Sequence, residues 1–205
     1  METVILPASH PHALSQALQV LQAGELVAFP TDTVYGLGAA LRYPDSIARL
    51  YQVKARDLVK AIPVLVGSLA GLAEVSPAAG DVAVRLSQRF WPGPLTLVVP
   101  KRAGLPEILS VETTIGVRMP DHPLALALLR DTGPLAVTSA NLSGAANSLT
   151  AEEVLSQLAG RIPLILDGGR APGGIPSTVV DCTGAELVIL RQGPISLDEL
   201  KGALA

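Results

Sequence analysis

The fold is indicated most clearly by the segment Leu26-Val27-Ala28-Phe29-Pro30-Thr31-Asp32-Thr33-Val34-Tyr35-Gly36-Leu37-Gly38. Its first four residues are apolar and predict a short β-strand, which Pro30 ends. The stretch from Pro30 to Gly38 then combines hydroxyl groups, a carboxylate and glycines, which is typical of a turn. Ligands of α/β proteins dock beside the ends of strands, so polar residues directly after a strand indicate a binding site.

Short apolar runs alternate with helical patterns along the rest of the chain. Leu14, Leu18 and Leu21 share one face, as in an amphipathic helix. Further strands are expected at Thr3–Leu6, Ile62–Val66, Leu95–Val99, Ile115–Met119, Leu135–Thr138, Leu164–Leu166, Val179–Asp181 and Leu187–Leu190. Several connections between Asp167 and Leu187 are too short for a helical crossover, so a mixed sheet is expected rather than a purely parallel one.

Length and composition are typical of a globular protein. The chain has 205 residues, 49% hydrophobic and 16% charged, so a buried core is available and we expect one α/β domain over residues 1–205. Its formal charge of −3 lacks the basic excess of nucleic-acid-binding domains. The first residues show no signal-peptide pattern, and no apolar run approaches the ~18 residues of a membrane span. We therefore expect a cytoplasmic protein without a membrane anchor.

Side chains that support common chemistries are few. Cys182 is the only cysteine and the chain has three histidines, which leaves little material for disulfides or for a metal site held by the protein. No Gly-rich sequence ends in Lys-Ser/Thr, as a phosphate-binding loop requires. Asp121 and His122 could be assigned to a Ser/His/Asp triad, but His122-Pro123 is better explained as the start of a helix.

Polar and basic side chains recur where apolar segments end. They lie at Thr31, Thr33, Lys54, Arg56, Arg118, Ser139, Asn141, Asp167–Gly169, Gly173–Thr178 and Arg191. Each has an ordinary structural explanation when considered alone; Lys54 and Arg56, for example, could complement the C-terminus of a helix. Together they predict a pocket for an anion such as a triphosphate or a carboxylated substrate, because Arg binds such groups bidentately and Lys acts as a point charge.

Seven motifs follow one another in an order that is typical of one family. They are Pro30-Thr31-Asp32-Thr33-Val34-Tyr35-Gly36-Leu37, Lys54-x-Arg56, Trp91-Pro92-Gly93-Pro94-Leu95-Thr96, Val117-Arg118-Met119-Pro120, Ser139-Ala140-Asn141-Leu142-Ser143-Gly144, Pro176-Ser177-Thr178-Val179-Val180-Asp181 and Leu190-Arg191-x-Gly193. Together they resemble the YrdC-like family of threonylcarbamoyl-adenylate synthases. The resemblance implies an open, twisted, mixed parallel/antiparallel sheet with flanking helices and a deep concave pocket. The chain is similar to the short, single-domain form of the family.

The resemblance also implies a reaction. A nucleotidyltransferase of this family would convert L-threonine, bicarbonate and ATP to threonylcarbamoyl-AMP and pyrophosphate, with Mg²⁺ accompanying the ATP. The product would pass to a tRNA threonylcarbamoyl transferase complex that makes threonylcarbamoyladenosine in tRNA. Contact between this chain and tRNA itself would be weak at most.

The roles of individual residues are likewise implied by the resemblance. The catalytic group would be Lys54, Arg56, Ser139 and Asn141. L-Threonine would be contacted by Thr31, Arg118 and Ser177, with Arg118 on its carboxylate. The nucleotide would be bound by Lys54, Arg56, Thr114, Ser139, Asn141, Asn147 and Arg191, with Ser148 as an alternative to Asn147.

Two positions depart from the family's pattern, and two other functions stay open. Many members have Gly and Pro where this chain has Ala55 and Asp57, and Asp57 adds a carboxylate beside the Lys-x-Arg motif. A double-stranded RNA or tRNA-binding protein would need a basic stripe and aromatic platforms, which a charge of −3 and 3% aromatic residues disfavour. A paralogue of the same fold with another small-molecule activity is disfavoured by the presence of both the Lys-x-Arg and the Ser-x-Asn motif.

Overall fold

The computed structural model describes residues 2–205, and ten strands form one sheet. The strands are β1 (Val4–Pro7), β2 (Val27–Phe29), β3 (Gly36–Ala40), β4 (Val64–Leu65), β5 (Leu95–Pro100), β6 (Thr114–Arg118), β7 (Leu135–Ser139), β8 (Leu164–Asp167), β9 (Thr178–Asp181) and β10 (Val188–Arg191). The helices are α1 (Ala13–Gln22), α2 (Pro44–Lys54), α3 (Ala70–Val75), α4 (Gly80–Phe90), α5 (Pro123–Thr132), α6 (Ala151–Leu158) and α7 (Leu197–Gly202), with a short 3-10 helix at Glu107–Leu109. Within the described part of the chain, none of the helices combines the length and apolar character that a membrane crossing demands.

The sheet is mixed, as the short connections predicted. Its strand order is β1-β8-β2-β3-β7-β4-β6-β5-β9-β10. Parallel pairs join β8 to both β1 and β2, β4 to β6, and β5 to β9. The other neighbours pair antiparallel, including β9 with β10. The expectation of an open mixed sheet with flanking helices is therefore confirmed.

The connection from β8 to β9 requires the sheet to curl. These two strands lie seven positions apart in the order, and in a flat sheet spaced at ~4.8 Å they would be about 34 Å apart. The connecting residues 168–177 could span that distance only if fully extended, yet Gly169 and Gly174 both adopt positive φ. The two halves of the sheet must therefore approach each other, which produces a concave face.

The prediction of a turn over Pro30 to Gly38 was wrong for its last three residues. Residues Gly36–Ala40 form β3, between β2 and β7. A Cβ on Gly36 would lie 2.9 Å from Val137 Cγ1, and one on Gly38 would lie 2.9 Å from Phe29 Cε1. The glycines are needed because side chains of the neighbouring strands cross over β3, not because the chain turns there.

Helices cover both faces of the sheet, but one face only in part. On the first face, α1 and α5 bury Leu21 and Leu128 against Phe29 of β2. On the second face, α2 and α4 bury Leu50 and Leu86. The apolar cluster beneath α1 and α5 takes its strand residues from β2, β3, β4, β7 and β8. On that same face, side chains of β5, β6 and β9 are left to line a cavity.

Candidate active site

A cavity of about 360 Å³ lies on the concave face, over the middle of the sheet. Gly36, Gly116, Val98 and Val137 form part of its floor. Seven of the residues that the sequence assigned to a site line it: Thr31, Arg56, Arg118, Ser139, Asn147, Ser177 and Arg191. Arg118, Ser139 and Arg191 end three strands and the other four residues lie in loops, so residues far apart along the chain meet over the curled sheet.

Arg118, the last residue of β6, is held by three different groups. Its Nε donates to Gly93 O at 3.0 Å and its Nη1 to Thr33 Oγ1 at 2.9 Å. Its Nη2 forms an ion pair with Asp32 Oδ1. The residue is 6% exposed, and burial lowers the pKa of the guanidinium although Asp32 opposes that shift. Its orientation is therefore fixed before any ligand arrives.

The turn between β2 and β3 supplies two of the three partners of Arg118. Thr31 Oγ1 donates to Val34 O at 2.7 Å and accepts from Thr33 N at 3.2 Å. Thr31 lines the cavity as the sequence predicted, although its hydroxyl also holds the turn together. Thr33, which the sequence placed in the predicted anion pocket, lines the cavity and binds Arg118, whereas Asp32, which also binds Arg118, was missed as a site residue. The signal that could have found them is the need of a buried arginine for a nearby carboxylate.

Ser177 and Arg191 form a second polar group on the cavity wall. Ser177 Oγ lies 2.8 Å from Thr96 Oγ1. Arg191 Nη2 donates to Ser177 O at 2.9 Å and to Ser177 Oγ at 3.1 Å. Burial lowers the pKa of Arg191, and the charges of Arg118 and Arg56 lower it further. Thr96, on β5, is a further lining residue that sequence reasoning missed.

Arg56 completes a set of three arginines around the cavity. It follows Ala55, which ends α2 in the left-handed conformation with φ 49°. Arg56 Nε and Nη2 donate to the carbonyl oxygens of Lys60 and Ala61 at 3.2 and 2.9 Å. Of the three arginines, Arg118 alone forms an ion pair within residues 2–205. The cavity therefore carries uncompensated positive charge, which favours an anionic ligand.

Lys54 lies beneath the cavity wall rather than on it. Its Nζ is bonded to Ser139 O at 2.5 Å, to Asn141 O, and to Asn141 Oδ1 at 3.3 Å. The residue is 1% exposed, and burial lowers its pKa to about 7, with a smaller contribution from Arg56. Lys54 thus holds the turn that follows β7, and direct contact with phosphate stays a prediction.

The other predicted residues likewise fall into two groups: some line the cavity, and others stabilise the turn after β7. Asn141 Nδ2 donates to Leu142 O and Ala145 O, so its side chain also stabilises the turn after β7. Ser148 is fully buried and donates to Ala140 O, whereas Asn147 lines the cavity. Thr114 is at the start of β6, the opposite end from Arg118, and lies outside the set of described lining residues. Its proposed contact with nucleotide stays a prediction without geometric support.

The described residues offer no ready-made metal centre. No group of three or more His, Cys, Asp or Glu residues in 2–205 has the geometry to hold a metal ion. The lining residues within this range include no Asp, Glu or His, and Asp32 is already paired with Arg118. A Mg²⁺ ion in this cavity would therefore need most of its oxygen ligands from a bound substrate.

Comparisons with known proteins identify similar sequences in one family. The model of the Sua5/YciO/YrdC family, described as "Telomere recombination", matches residues 19–193. A protein of Bacillus subtilis (strain 168) named threonylcarbamoyl-AMP synthase is 41% identical over 194 residues, which cover 93% of this chain and 56% of the relative. A relative from Mycobacterium tuberculosis (strain ATCC 25618 / H37Rv) is 38% identical over 199 residues, which cover 97% of this chain and 92% of the relative.

A solved structure supports the same relationship. The crystal structure of Pyrococcus abyssi Sua5 complexed with L-threonine matches with a TM-score of 0.94 and 35% identity. The match covers 98% of this chain and 61% of that protein. The chain therefore spans a little over half of the Bacillus and Pyrococcus relatives and nearly all of the mycobacterial one.

Proposed function

The chain belongs to the Sua5/YciO/YrdC family, and from this premise we propose that it is a threonylcarbamoyl-AMP synthase. The reaction joins L-threonine, bicarbonate and ATP to give threonylcarbamoyl-AMP, pyrophosphate and water. One observation carries the proposal: Arg56, Arg118 and Arg191 converge on one cavity in which Arg118 alone is neutralised by a carboxylate of the described chain. Such a cavity suits two anionic reactants that must meet.

Charge compensation is the main task in this reaction. The carbamate formed from threonine is an anion, and it must attack the α-phosphate of ATP, which is also negatively charged. Arg56 and Arg191 would neutralise the phosphates and the departing pyrophosphate, because a fixed cation in a partly buried cavity needs no reorganisation during the reaction. Holding both reactants in line then supplies most of the remaining rate enhancement.

Threonine would bind at the Arg118 end of the cavity. Among the three arginines of the cavity, Arg118 alone has all three guanidinium nitrogens bound to groups of the described chain. Its fixed orientation suits a small, rigid ligand group such as a carboxylate. Thr31, Thr33 and Ser177 provide neighbouring hydroxyls. Because Asp, Glu and His are absent from the described lining residues, we assign removal of the amine proton to solvent or to a second substrate.

The phosphates would lie toward Arg56, Ser139, Asn147 and Arg191. Mg²⁺ would be carried in with ATP, and the side-chain oxygens of Ser139 and Asn147, which line the cavity, would add to its oxygen ligands. When bound, the ion supplies further neutralisation of phosphate charge. Lys54 and Asn141 act indirectly. Their side chains hold the turn that positions Ser139 in the cavity.

The product is a mixed anhydride and is readily hydrolysed. The consuming step is therefore assigned to a transferase that acts on tRNA, as the family relationship implies. A net charge of −3 favours delivery of a small molecule over tight binding of tRNA by this chain. The cytoplasm stays the predicted compartment.

The decisive experiment measures pyrophosphate release from ATP and Mg²⁺ with and without bicarbonate and L-threonine. We expect release to require both, and L-serine to serve as the selectivity probe. Arg56→Met should lower the rate by roughly 100-fold. Arg89→Met, which changes an exposed arginine of α4 outside the cavity, should leave the rate unchanged. Pyrophosphate release that ignores threonine, together with salt-sensitive binding of tRNA, would contradict the proposal.

A further inference from the structure

Two buried polar atoms near Arg118 have no hydrogen-bond partner among the described residues. They are Asp32 Oδ2 and His122 Nδ1. Buried polar atoms in folded proteins are almost always bonded to protein or to an ordered water. A pair of unpartnered atoms, one of them on a residue that binds Arg118, therefore needs a physical explanation.

The two atoms belong to segments that already touch. The backbone N–H of Asp121, the residue before His122, donates to Asp32 Oδ1 at 3.0 Å. Burial lowers the pKa of the His122 ring below its ordinary value, although the Asp32 and Asp121 carboxylates oppose that shift, and the lowered pKa favours the neutral ring. A neutral imidazole carries its proton on one nitrogen only, and a neighbouring carboxylate favours the tautomer with the proton facing it.

Packing holds the His122 ring against the loop that follows β8. A Cβ on Gly168 would lie 3.5 Å from His122 Cε1 and 2.6 Å from Pro30 Cγ. His122 precedes α5 in an extended conformation, with φ −144° and ψ 123°, and its side chain does not cap the helix. The ring is therefore free for another role while its position is restricted by close neighbours.

Asp32 connects this ring to the cavity. Its Oδ1 binds Arg118 Nη2 and Asp121 N, which leaves Oδ2 as the free acceptor. We propose that His122 is a positioning residue whose Nδ1–H donates to Asp32 Oδ2 through one buried water, and thereby keeps the Asp32 carboxylate and Arg118 aimed into the cavity. The consequence for threonine binding rests on the proposed function, whereas the pairing of His122 with Asp32 does not.

The pairing can be tested without any activity. A ¹H–¹⁵N correlation spectrum of the imidazole nitrogens reports which of them carries the proton. We expect the Nδ1–H tautomer for His122 in the wild-type chain, with a changed Nδ1 signal in Asp32→Asn. An Nε2–H tautomer that is the same in both proteins would overturn the pairing.

The consequence for the cavity is tested by the affinity for L-threonine, measured by calorimetry in the absence of ATP. His122→Leu, which removes the donor, should weaken binding about tenfold. His122→Asn places an amide N–H where Nδ1 stands and should restore binding to within about threefold of wild type. His12→Leu is the matched control. His12 precedes α1, which lies on the same face of the sheet as α5, and its side chain does not cap that helix.

The outcomes separate the pairing from the function. An unchanged affinity in His122→Leu, or a loss that His122→Asn does not rescue, would contradict the positioning role. A wild-type chain that shows the Nδ1–H tautomer but does not bind threonine would contradict the proposed function and leave the pairing intact. Equal losses in His122→Leu and His12→Leu would assign the effect to helix stability and overturn the proposal.

Discussion

Arg118 and Arg56 place guanidinium groups in the same cavity, but the two residues differ in burial and in the groups that bind them. Arg118 is 6% exposed and is bound by a carboxylate, a hydroxyl and a carbonyl. Arg56 is more exposed, and its contacts are the carbonyl oxygens of Lys60 and Ala61. One end of the cavity is thus rigid and nearly neutral, and the other keeps its charge for a ligand.

The different surroundings of Arg118 and Arg56 give them different effects on the stability of the fold. A buried ion pair contributes little net stability while intact, but loss of one partner leaves a charge buried without compensation. A partly exposed arginine that binds only carbonyls can be removed at little cost to the fold. The two arginines should therefore differ most in their effect on stability, whereas both should affect activity.

The largest effect is expected from Arg118→Met. Loss of the guanidinium leaves the Asp32 carboxylate buried without its cation, so the free energy of unfolding should fall by about 3–5 kcal/mol. Arg56→Met should change it by less than about 1 kcal/mol. Urea denaturation of both variants at pH 7 checks the prediction.

A second variant identifies the cause. In Asp32→Asn/Arg118→Met no charge is left buried, and Asn can still accept from the N–H of Asp121. We expect the double variant to recover more than half of the lost stability while it stays inactive. Equal stabilities of Arg118→Met and Arg56→Met would show that the two ends of the cavity do not differ as described.

An intermediate effect is expected from Lys54, which is even less exposed than Arg118 but has no carboxylate partner among residues 2–205. Burial lowers its pKa in the folded chain to about 7 from 10.5. Between these two pH values the unfolded chain binds more protons than the folded one, so the stability should rise as the pH increases from 7 to 10. We expect a gain of roughly 1–4 kcal/mol in wild type that Lys54→Met lacks.

The measurement is urea denaturation of both proteins across this pH range. Because other groups also titrate at alkaline pH, the difference between the two slopes is the quantity that reports on Lys54. Parallel slopes would mean that the three oxygen acceptors around Nζ keep Lys54 charged throughout. Lys54 would then be a buried cation like Arg118, although no carboxylate of the described chain is paired with it.

Much of the fold followed from local patterns. Apolar runs located nine of the ten strands in the described part of the chain. The missed strand, β3, contains Gly36 and Gly38, whose role depends on Val137 and Phe29 of neighbouring strands. A requirement created by contacts between distant parts of the chain leaves no local periodicity in the sequence.

The candidate site followed less completely. Family motifs indicated Arg56, Arg118, Ser139, Ser177 and Arg191, all of which line the cavity. They did not distinguish residues that line it from Lys54 and Asn141, which hold a turn behind the wall. That distinction depends on which way each side chain points, and spacing in a motif does not determine it.

The smallest effect is expected from Asp57, which follows the arginine at the charged end of the cavity. Its Oδ1 accepts from Val59 N at 3.0 Å, and Asn at this position would keep that bond while removing the charge. In Asp57→Asn the KM for ATP should fall about twofold at low ionic strength, because one repulsive charge is removed from the phosphate end. The effect should vanish near 0.5 M salt, since the residue is exposed and screening is strong there. The control is Asp81→Asn, at the exposed start of α4. An effect of Asp57→Asn that persists in high salt would mean that Asp57 acts through the shape of the loop rather than through its charge.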